Sequence, residues 1–112
     1  MANYQNVTPV QLGQAAITGS VATLYTVPTA TRTYLKDINI CNTSGSAITV
    51  NVYLVPSGGT ASTANALLYT LSIASNAVYR WTGVQVLLPG QTIQTSSSTT
   101  GCTIIASGGE AT

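Results

Sequence analysis

From Ala47 to Val55 the side chains alternate: Ile48, Val50, Val52 and Leu54 are apolar, and Thr49, Asn51 and Tyr53 between them carry hydroxyls or an amide. A period of two turns one apolar face inward on an extended strand and suits no helix. Just upstream, Thr33 to Cys41 places Ile38 and Ile40 on one face and Asp37 and Asn39 on the other. The polar run Asn42-Thr43-Ser44-Gly45-Ser46 separates the two segments and predicts an antiparallel hairpin. Further short strands are expected at Ala22–Val27, Leu67–Ile73, Ala77–Thr82, Gln85–Leu88, Gln91–Thr95 and Cys102–Ala106, each bounded by Gly, Pro, Asn or Ser. Pro28 cannot donate to a ladder and closes the first of them. Pro56 to Asn65, Ser96 to Gly101 and the stretch from Ser107 read as loops. Strands recurring about every 8–12 residues with such punctuation predict an all-β fold, a single antiparallel β-sandwich. Jelly-roll-like and immunoglobulin-like strand orders both fit segments of this length.

The chain has 112 residues, enough for one domain. Residues 15–112 are assigned to the sandwich. Residues 1–14, rich in Asn and Gln, read either as a frayed terminus or as an extended N-terminal arm that crosses to a neighbouring subunit. Tyr4, Val7, Val10 and Leu12 are the side chains such an arm would dock.

Charge is nearly absent. Arg32, Lys36, Asp37, Arg80 and Glu110 make up 4% of the chain, against roughly 25% in an ordinary soluble domain. Three basic side chains cannot form the stripe that neutralises nucleic-acid phosphates, so no nucleic-acid partner is expected. No membrane partner is expected either, since polybasic clusters and long apolar runs are both missing. A surface with almost no charge has little repulsion to keep copies apart, which favours a chain whose surface is covered by neighbours. In that setting Asp37 is expected to pair with Arg32 or Arg80 across a subunit interface.

The inventory for chemistry is thin. With no His, the serines have no customary base to activate them. Asp37 and Glu110 are the sole carboxylate side chains, and Glu110 falls in a Gly-rich stretch unsuited to holding it in place. No catalytic residue, metal or cofactor is expected, and the chain reads as a non-enzyme. Cys41 and Cys102 both lie in expected strands. A bond between them is conceivable, but the start of the chain shows no basic, apolar secretory signal, so free thiols in a reducing cytoplasm are favoured. Tyr79, Trp81 and Tyr53 could form a platform for a glycan, as in a lectin-like module. In a chain without Phe the favoured use of these rings is as core or interface anchors.

Leu24-Tyr25-Thr26-Val27-Pro28, Ile38-Asn39-Ile40-Cys41-Asn42-Thr43 and Val52-Tyr53-Leu54-Val55-Pro56-Ser57-Gly58-Gly59 resemble segments of small tailed-bacteriophage virion proteins. Asn65-Ala66-Leu67-Leu68 and Leu88-Pro89-Gly90-Gln91-Thr92-Ile93 extend the resemblance over residues 17 to 106. Gln91 stands where an acidic residue often follows the glycine in that group. The resemblance implies a capsid decoration or cement protein: a homotrimer on the capsid surface that binds the major capsid protein across subunits and is assembled in the host cytoplasm. A tail, baseplate or fibre component is the alternative it leaves open.

Overall fold

A computed structural model describes residues 6–112. Eight strands follow in order: β1 (Val7–Ile17), β2 (Ala22–Thr26), β3 (Arg32–Asn42), β4 (Ile48–Val55), β5 (Ala66–Ile73), β6 (Val78–Leu87), β7 (Thr92–Ser97) and β8 (Cys102–Ala111). A 3-10 turn, Thr63–Asn65, precedes β5 and is capped by Ser62. The strands form two four-stranded sheets, β1-β8-β3-β6 and β2-β7-β4-β5, and every pairing is antiparallel. Each connection except β4 to β5 crosses from one sheet to the other. This order is the jelly-roll, and it decides between the two strand orders the sequence left open.

The inner faces meet in a core of branched aliphatics. Leu35, Ile38 and Ile40 of β3 and Ile104 of β8 face Val50 and Val52 of β4 and Ile93 of β7, all without solvent exposure. Each such side chain contributes about 1.5–3 kcal/mol on leaving water. Tyr79 and Trp81 of β6 lie half-buried against the flank of this core. Ring packing against the core is the role the fold gives these side chains.

The strand pattern was legible, but the pairing was not. The expected hairpin of residues 33–41 and 47–55 does not form, because β3 and β4 lie in opposite sheets. Asn42 makes the crossing: its buried side-chain amide donates to the carbonyls of Ser46 (2.9 Å) and Ile73 (3.0 Å), and its oxygen accepts from the Ser44 amide at 2.9 Å. The segments 77–82 and 85–88 are one strand, β6, continuous through Gly83, whose φ of +159° lets the ladder accommodate a bulge. The stretch from Ser107 is not a loop but the second half of β8. Of the expected arm, residues 1–5 lie outside the described residues, and residues 7–14 belong to β1. From Val7 onward the chain pairs with β8 as an edge strand, because Val10 and Leu12 have core to cover.

Candidate docking face

The outer face of the β1-β8-β3-β6 sheet gathers most of the features that stand out. On β3 the alternation breaks between Leu35 and Ile38, both buried, so Lys36 and Asp37 fall in a bulge and both reach the outer side. They do not take opposite faces, as a regular strand would have required. Asp37 lies beside Thr82 in the ladder with β6, and Arg80, one outward position along, turns its guanidinium onto the carboxylate. The Arg80 Nη2 donates to Asp37 Oδ2 at 2.6 Å and Nε donates to the same oxygen at 3.1 Å. The expected pairing of these residues across an interface is thereby corrected. They are neighbours on adjacent strands of one chain, and the carboxylate raises the Arg80 pKa through the hydrogen bond first and its charge second.

Toward the other end of this face lies a groove of about 460 Å³. Gly108 and Gly109 of β8 lie between Val7 and Pro9 of β1 on one side and Tyr34 of β3 and Val84 of β6 on the other. Lys36 adds the charged group of the lining and is exposed. The two glycines have different reasons to be there. A Cβ on Gly108 would stand 1.9 Å from the Tyr34 carbonyl oxygen, so close strand approach forbids one. A Cβ on Gly109 would meet the Val7 Cγ1 at 3.0 Å, a contact an exposed side chain can relieve. Around the groove Val7 and Val84 are each 57% exposed and Val86 49%. Clustered exposed apolar side chains mark interaction surfaces rather than ordinary solvent faces.

The sequence-derived contact residues separate accordingly. Val7, Asp37 and Arg80 share the outer face of this sheet. Leu12 is buried in the core and Val10 is half-buried against it. Arg32 opens β3, half-buried and opposite Ala111. Tyr4 lies outside the described residues. Tyr34, Pro9, Val84 and the glycine pair were missed, although two glycines interrupting an extended run are a known sign of close backbone approach.

At the same end, but inside the sandwich, Tyr25 of β2 reaches across from the other sheet. Its hydroxyl donates to Glu110 Oε2 at 2.5 Å and accepts from Thr33 Oγ1 at 2.7 Å. Burial, then the hydrogen bond to Glu110, pushes the Tyr25 pKa up to about 12. Glu110, read from sequence as loosely held, is thus a fixed cross-sheet tie. Cys41 and Cys102 sit on adjacent strands, with Cys102 facing the core and Cys41 the outer side. They point apart, so the thiols are free. Burial raises the pKa of Cys102. Among the described residues no three His, Cys, Asp or Glu side chains come together as metal ligands would.

No family model matches this chain, and no curated protein matches it in sequence. Solved structures do match. Over 98% of this chain, a chain of the T13 IBDV viral particle superposes with a TM-score of 0.50 at 11% identity. The structure of infectious bursal disease virus Gx strain gives 0.51 at 12%, and the infectious bursal disease virus VP2 subviral particle gives 0.50 at 12%. The shared property is the fold. The chain spans only 31–33% of the length of those chains. At such identity the likeness extends to the jelly-roll framework and not to any residue of the docking face.

Proposed function

We propose that this chain is a non-enzymatic structural protein of a virion, a capsid decoration or cement protein that binds the major capsid protein across subunit seams as a homotrimer. The observation that carries the reading is a jelly-roll shared with chains of viral particles, bearing one outer face rich in exposed apolar side chains. The resemblance of its turn-and-strand segments to small phage virion proteins supports the same conclusion. Cementing asks for contact area rather than reactive groups. A standard interface buries about 1,600 Å², and several modest contacts made together on a shell gain from multivalency. A surface with few charges loses little when it is desolvated against a neighbour.

Immunogold labelling of this chain on particles from the source lysate tests the reading. Regular label over the head is expected. Label confined to tails would reassign the chain to a tail or fibre, and unlabelled particles with an accessible epitope would overturn a virion role. Light scattering of the isolated chain tests the trimer, for which three times the 11.4 kDa chain mass is expected.

A further inference from the structure

We propose that the Gly108–Gly109 groove receives an extended segment of another protein that presents an apolar side chain next to a carboxylate. This rests on the assembly reading above and names the chemistry of its partner. The depth of the groove comes from Gly109, a position where neighbouring backbone does not forbid a side chain. A residue there would fill the space, and none does. The walls, Val7, Pro9 and Val84, are apolar. The charged group they share the lining with, Lys36, is in no ion pair among the described residues, whereas Arg80 is neutralised by Asp37. An apolar slot with one uncompensated cation complements an apolar side chain flanked by an acid.

The same charges argue against a second copy as occupant. The two carboxylate side chains of this chain are both engaged, Asp37 by Arg80 and Glu110 by Tyr25 inside the sandwich. A second copy has no free side-chain carboxylate to bring to Lys36. Strand addition at a sheet edge is also disfavoured, because all four edge strands are interrupted. Register shifts occur at Gln11/Gly13 in β1 and Thr23/Tyr25 in β2, twice in the β4–β5 ladder, and in β6 opposite Leu35/Asp37. Bulges of this kind turn an edge away from incoming strands and leave the face as the available surface.

The test is a proton–nitrogen NMR titration of the full chain with acetyl-Leu-Asp-Leu-amide, compared with acetyl-Leu-Asn-Leu-amide. Shifts centred on the Gly108, Gly109 and Val84 amides are expected. Affinity should fall about two- to fivefold with the Asn peptide or with Lys36→Gln, the range of an exposed ion pair. Gly109→Ala, which partly fills the slot, should weaken binding about tenfold or more. Should that variant fail to fold, Lys36→Gln, at an exposed position, still decides the charge requirement. Equal binding of both peptides, shifts elsewhere, or no shifts would overturn the proposal. So would groove amides that move with protein concentration alone, which would make the occupant a second copy. Gold-labelled heads combined with a silent titration would remove the groove and keep the capsid role, whereas unlabelled particles would remove the role itself.

Discussion

Two polar residues in this molecule hold what the apolar core cannot specify. Asn42 has no solvent exposure and joins three chain segments, with donors to Ser46 and Ile73 and an acceptor for Ser44. Removing its amide strands buried carbonyls at the crossover, so Asn42→Ala should cost about 2–3 kcal/mol in urea unfolding. Tyr25 ties the two sheets through Glu110 and Thr33. Its pKa stands near 12 in the folded chain, above the ordinary tyrosine value of 10. The folded state therefore holds this proton more tightly than the unfolded one. The resulting stabilisation is whole below pH 10 and is lost as pH rises toward 12. Screening by water at this half-exposed site limits the effect to about 1 kcal/mol. Thermal melts of the wild type and Tyr25→Phe should show a difference at pH 8 that shrinks by pH 12. Neither role was readable in advance: an Asn in a polar run signals a turn, and nothing local says that Glu110 will meet a tyrosine 85 positions earlier in the chain.

At the level of strands, the first sheet is organised by aligned irregularities. Between Leu35 and Asp37 β3 advances two positions while β8 advances one, from Gly108 to Ser107, and β6 advances three, from Gln85 to Thr82. β1 shifts against β8 at the neighbouring step, Gln11 to Gly13. The extra residues bring Lys36 and Asp37 to one face and open the approach of β8 to β3 at Gly108. That approach is the most demanding steric point in the sheet. Gly108→Ala would drive a methyl into the Tyr34 carbonyl, and a loss of about 3 kcal/mol or more is expected in denaturant unfolding. Gly109→Ala should stay within about 1 kcal/mol of the wild type in the same experiment, since only the exposed Val7 side chain must move. Opposite outcomes at adjacent glycines would separate a structural glycine from one that keeps a surface open.

Across the whole molecule the charge is segregated. Arg32, Lys36 and Asp37 lie on β3, Arg80 on β6 and Glu110 on β8, so every charged residue belongs to the first sheet. The second sheet carries none, and hydroxyl, amide and aromatic groups on its outer face, among them Thr49, Asn51 and Gln94, meet solvent instead. With a net charge of +1, long-range repulsion or steering between copies is negligible. Self-association in light scattering should therefore change little between about 0.05 and 0.5 M salt, a range over which the Debye length falls severalfold. A steep salt dependence would contradict an assembly driven by burial of uncharged surface.

Period-two alternation and turn residues were enough to define an all-β sandwich and, within a few residues, five of its strands, because both depend on neighbours along the chain. The scarcity of charge likewise set the expectations about partners without any structure. What the tertiary structure alone decided was pairing. A strand with one buried face satisfies the same pattern in either sheet, so the expected hairpin of residues 33–41 and 47–55 became a crossover pinned by Asn42. The glycine pair near the end of the sequence has no apolar alternation to reveal a strand, and it became strand only through the neighbours β1 and β3 on either side of it. The groove follows from that same pairing: its floor and walls come from positions separated by up to about a hundred residues, and only the fold brings them to one face.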